Sequence, residues 1–100
     1  MKSGYKYQFI PRYSRPNGNY HDANPVYLHD DSDMFDAIFM SIDMACELGT
    51  DVLLHVFSPY VGWQYIHPAH PDGTATNFFG NRQRFTGDRL NYWEPVSPQQ

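Results

Sequence analysis

One segment of this chain changes period, and that change decides the class of fold open to it. Over residues 33–48 the apolar residues recur at helical spacing. Met34, Ile38, Ile42 and Ala45 fall on one side, with Phe35, Phe39 and Cys46 adjoining. On either side of this segment the apolar residues alternate, or cluster in short β-rich runs, which is the signature of strands. A lone helix among strands buries its apolar stripe by lying on a sheet. One hundred residues make one domain with one core. That core has to be aromatic: Leu, Ile and Val together number 14, whereas Phe, Tyr and Trp number 17.

The strands follow in order. Residues 5–10 place Tyr5, Tyr7 and Phe9 on one face and Lys6, Gln8 and Ile10 on the other. Pro11 cannot donate to a ladder, so it is expected to end this strand or put it at a sheet edge. Asn17-Gly18 predicts a two-residue type I′ hairpin turn, with the second strand over residues 26–29 after Pro25. Ser32, Asp31 or Asp30 is expected as the helix N-cap, with Asp33 and Asp36 in the first turn, and Gly49 closes the helix. Residues 51–57 are apolar on both faces apart from His55 and read as a central strand. Ser58-Pro59 is a turn. Residues 60–66 alternate again, with Val61, Trp63 and Tyr65 expected on the buried face and Tyr60 exposed with Gln64. Residues 67–73 read as a stiff loop, and the last third holds one or two further strands. The expected fold is α+β: a single small domain, mainly antiparallel, in the order β-β-α-β-β plus one or two strands, with one helix packed on one face. Residues 1–95 form the domain and 96–100 a flexible tail.

Charge is distributed unevenly. Seven Lys and Arg against eleven Asp and Glu give a net charge of −4, which argues against direct nucleic-acid binding. Lys and Arg occur only at positions 2, 6, 12, 15, 82, 84 and 89, so none lies between Pro16 and Asn81, where nine carboxylates sit. At 100° per residue, Asp36, Asp43 and Glu47 fall within about 40° of each other on the helix, with Asp33 about 40° further round and Met40 in the stripe. A merely solvated face usually mixes signs, and like charges at i,i+4 such as Asp43 and Glu47 oppose the helix. The stripe Asp33, Asp36, Met40, Asp43, Glu47 is therefore the expected contact with a larger protein bearing a basic surface. Two other readings stay open: a plain solvated face, and a stripe covered internally by Arg82, Arg84 or Arg89.

Other constellations point less far. His67, His70 and Asp72 have metal-binding side chains, with His21, His29 or His55 as a further ligand. They make a metal-dependent hydrolase or metal-stabilised domain the alternative, although no metal or other cofactor is assigned. The Asp30-Asp31-Ser32-Asp33 cluster lacks the glycine and closing glutamate of a calcium loop and reads as helix capping. Cys46 has no cationic neighbour and reads as a small core residue. His55 reads as a hydrogen-bonded core histidine. Arg82, Arg84, Phe85, Arg89, Tyr92 and Trp93 mix cations with aromatics, but their two-residue spacing suits edge protection better than nucleic-acid stacking. A homodimer burying an aromatic face or a sheet edge is a further alternative.

No apolar run approaches the roughly 20 residues that span a bilayer, so no membrane partner is expected. The absence of an apolar segment after Lys2 and Lys6, together with a single cysteine, suits a cytoplasmic location, that of the host cell if the chain is phage-encoded. In size, acidity and lack of a catalytic motif the chain resembles in kind the small phage and mobile-element proteins that disable host defences, anti-CRISPR proteins among them. That resemblance implies a non-enzymatic inhibitor that blocks a nucleic-acid-binding complex by steric and electrostatic means.

Overall fold

The computed structural model describes residues 5–29, 33–77 and 79–96. One helix packs on an antiparallel sheet of eight strands, a single α+β domain. The elements are β1 (Tyr5–Ser14), β2 (Tyr20–Asp22), β3 (Val26–His29), α1 (Met34–Leu48), β4 (Asp51–Ser58), β5 (Gly62–Ala69), β6 (Thr74–Thr76), β7 (Arg82–Phe85) and β8 (Trp93–Pro95). The ladder runs β2-β1-β4-β5-β6-β7-β8, and β3 also pairs with β1. Three strands therefore precede the helix and five follow it, more than the pattern of alternation indicates. Residues 97–100 of the expected tail lie outside the described residues.

Pro11 neither ends β1 nor marks an edge. It lies mid-strand, opposite Val52 of β4. On its other side the register slips between Phe9↔Val26 and Arg12↔Asp22, and the Ala23 N–H donates to the Pro11 carbonyl at 2.8 Å. A residue's N–H and C=O point the same way in a strand, so the missing donor faces this interrupted stretch. The return leg of the first hairpin is split there into β2 and β3.

The Asn17-Gly18 turn also differs from expectation. Asn17 keeps a negative φ while Gly18 has φ 87°. The Arg15 N–H donates to the Asn19 carbonyl and the Gly18 N–H to the Arg15 carbonyl, which makes a three-residue loop rather than a type I′ turn. Pro16 presets the φ needed at the first turn position, and Gly18 takes the left-handed one. The same pair of bonds recurs at His70/Thr74 with Gly73 and at Asn77/Asn81 with Gly80. The stiff loop expected over residues 67–73 is thus shorter: His67, Pro68 and Ala69 belong to β5, and only the turn after His70 remains.

Helix α1 starts one residue after its cap. Asp33 accepts from the Asp36 N–H at 2.9 Å, so the capping carboxylate is Asp33 itself; residues 30–32 lie outside the described residues. Gly49 closes the helix with φ 69°. Ala37, Ile38, Ile42 and Ala45 pack on Tyr7, Phe9, Val52, Leu54 and Ala69. Cys46 is exposed, which corrects the core reading: it lies about 100° round the helix from buried Ala45.

The other face of the sheet carries Gln8, Leu53, His55, Phe57, Trp63 and Tyr65, as register and alternation require. Here the burial expected of Val61, Trp63 and Tyr65 is overturned: all three are exposed. A register shift in the β4–β5 ladder between Leu54 and His55 turns the N-terminal half of β5 so that its aromatics face away from the helix.

Candidate functional site

The acidic stripe does not behave as one unit. Arg89 reaches back across the fold to its N-terminal end, with Nη1 donating to Asp33 at 2.8 Å and Nη2 to Asp36 at 3.3 Å. The same guanidinium lies 4.4 Å from the Phe35 ring centre. The Asp33 carboxyl is held below the usual carboxylate range, first by the Asp36 backbone N–H and then by Arg89. Asp33 and Asp36 are therefore compensated internally. Arg82 and Arg84 turn elsewhere, to Asp72 at 3.7 Å and Glu94 at 3.9 Å.

The C-terminal half differs. Asp43 and Glu47 are exposed, and neither makes an ion pair or side-chain hydrogen bond among the described residues. Met40, expected in the contact, is partly buried against the core. Its place is taken by Phe39 and Leu48, both about half exposed. The helical wheel carried a signal for Phe39, which falls about 40° from Asp43. No cation occupies the last turn, so Glu47 sits at the negative end of the helix dipole.

The histidine loop separates instead of converging. His67 points to the helix side, where its Nε2 lies 3.4 Å from Ser41 Oγ and its ring meets Trp93 edge-on. It is 5% exposed, and burial pushes its pKa down to about 4, with His70 adding to the shift. His70 points to the opposite face, bonding Asp51 through Nδ1 at 3.0 Å and Thr76 through Nε2 at 2.7 Å. Asp72 accepts from the Thr74 hydroxyl and N–H within its own turn. Successive strand residues face opposite ways, so three ligands at this spacing cannot meet at one ion. No group of three metal-binding side chains forms among the described residues, so the fold does not bring His67, His70 and Asp72 together.

A pocket of about 230 Å³ opens beside His67, lined largely by Met34, Ile38, Ile66, Ala75 and Trp93. His67, Thr76, Asn77 and Gln83 are its polar neighbours. His55 is half-buried, and its Nδ1 has no hydrogen-bond partner among the described residues, which corrects the expectation of a bonded core histidine. Desolvation lowers its pKa, and Arg12 lowers it further. In the last third, alternation parts Arg82 and Arg84 from the rings, whereas Arg89 lies over Phe35. Phe85, Tyr92 and Trp93 pack with Phe35 on the helix side, while Arg82 and Arg84 share the other face with Thr74 and Thr76.

No helix among the described residues is long and apolar enough to cross a membrane. Compared with family models, with curated proteins and with solved structures, the chain matches none.

Proposed function

We propose that the chain is a binding protein that inhibits a larger, basic macromolecular partner by seating the C-terminal half of α1 on it. The observation that carries this reading is the state of Asp43 and Glu47. Both are exposed and unpaired among the described residues, while the protein's own Arg89 is spent on Asp33 and Asp36. Carboxylates spaced i,i+4 near a helix C-terminus oppose folding on two counts, mutual repulsion and the helix dipole. Their use lies outside the fold. Phe39 and Leu48 flank them and supply apolar contact area. A groove that ordinarily takes phosphates offers the matching charge, and occupying it displaces the nucleic acid. This is the mode of action of a small mobile-element inhibitor, and it needs no catalytic group.

The test uses Glu47→Lys and the double reversal D43K/E47K. Because the native charges oppose the helix, Glu47→Lys is expected to raise Tm by about 2 °C. D43K/E47K is expected to abolish capture of the partner from host extract, and added salt is expected to weaken capture by the native protein. A partner that the double variant still retains at low salt overturns the assignment of this face.

A further inference from the structure

The sheet has a second face that α1 does not cover. A helix of 15 residues is about 22 Å long, and it packs on β1, β4 and β5 from one side only. On the opposite side, Tyr20, Tyr27, Phe57, Trp63 and Tyr65 stand 36–64% exposed. They share one face, since Tyr27 is opposite Gln8, Gln8 opposite His55, His55 opposite Tyr65, and Phe57 opposite Trp63. The rings are already ordered against each other. Tyr27 and Trp63 have centroids 5.8 Å apart, Phe57 and Trp63 5.4 Å, and His55 and Tyr65 5.5 Å. A surface ordered in this way loses little side-chain entropy on docking.

Charge decides what docks there. The arginines on this face are paired within it: Arg12 with Asp22 at 2.7 Å, Arg82 with Asp72 and Arg84 with Glu94. Lys6, on the same face as Gln8, is outside these pairs, and Asp51 balances it, so the face carries no net formal charge to draw phosphates or a basic protein. The helix side is the reverse, with four carboxylates and Arg89, so two copies repel each other there. The counterpart a neutral, aromatic face matches best is another of the same kind. A two-fold axis lying in the interface plane, parallel to the sheet face, sets the patch against itself, as an isologous interface requires. The molecule measures 52 × 40 × 24 Å, and a stable interface takes about 800 Å² per partner, about two-fifths of the broad face.

We propose that the open sheet face is the interface of a symmetric homodimer, stacked sheet to sheet, with both acidic helices outside. The dimer rests on the sheet face alone and holds whether or not α1 binds a basic partner.

The experiment is sedimentation velocity on the full chain over a dilution series, with circular dichroism to follow folding. The native chain is expected at twice its 11.7 kDa mass at micromolar concentration. Trp63→Asp is expected to sediment as a folded monomer, and Tyr65→Asp, further from the ring cluster's centre, to weaken association at least tenfold if Trp63→Asp fails to fold. D43K/E47K is expected to stay dimeric. A native chain that remains monomeric at 100 µM overturns the proposal, as does a dimer undisturbed by both sheet-face variants. A monomer that binds single-stranded oligonucleotide through Trp63 overturns it too, by giving the face to a different occupant.

Discussion

At the scale of the residue, His67 shows how position sets chemistry. Its sequence neighbours suggest an exposed ligand, yet it is enclosed between α1 and Trp93. Burial disfavours the imidazolium, so the folded state holds its pKa at about 4, below the ordinary 6.5. Above pH 6.5 the ring is neutral in both folded and unfolded chains and the shift has no effect. As pH falls from 6.5 toward 4 the unfolded chain takes up the proton first, and stability declines by about 3 kcal/mol. His55 shifts in the same direction and adds to the slope. Urea denaturation at pH 7, 5.5 and 4.5 is expected to show this decline, and His67→Leu to flatten most of it. An unchanged slope in that variant removes His67 as the cause. Neither shift could be read from spacing, because what desolvates each ring is a packing arrangement between distant elements.

At the scale of the element, α1 was the most legible part of the chain. Its extent, its closing Gly49 and its buried side follow from a 3.6-residue period and short-range capping. The cap lies at Asp33, and its contribution separates cleanly from that of the Arg89 ion pair. Asp33→Ala loses both and is expected to lower Tm by about 5 °C. Asp33→Asn keeps an oxygen for the Asp36 N–H and loses only the exposed pair, so Tm is expected to recover almost fully. Equal losses in thermal denaturation of the two variants place the stability in the ion pair instead. The strands were less legible. Pro11 reads locally as a terminator, but it sits inside β1 because the ladder is interrupted opposite it. Asn17-Gly18 reads as a two-residue turn, but Pro16 favours a three-residue loop. For the proposed contact face, the wheel located Asp43 and Glu47. It could not show that Arg89, far along the chain, returns to Asp33 and Asp36.

At the scale of the whole molecule, the fold has an inner part and an outer part. The helix rests on β1, β4 and β5, whose facing side chains Phe9, Val52, Leu54 and Ala69 are fully buried. Strands β6, β7 and β8 are short and are tied to α1 mainly by rings: Phe35 meets Phe85 and Tyr92, and Phe85 meets Trp93. Trp93→Ala is expected to cost about 2 kcal/mol, felt first at this end. In native-state hydrogen exchange the amides of β7 and β8 are expected to lose protection while those of β1 and β4 keep theirs. Equal loss in β4 makes the sheet one cooperative unit. The amino-acid sequence by itself determined the α+β class, the single helix, the central strand and the segregation of charge, because each depends on periodicity or on local backbone preference. Tertiary structure alone decided which carboxylates remain uncompensated, that His67 and His70 face apart, and that Trp63 and Tyr65 lie on an open face. The first depends on where Arg89 returns, the second on β5 running through Ala69, and the third on strand register, where a shift of one residue, which no local pattern reveals, sends a side chain to the other side of the sheet.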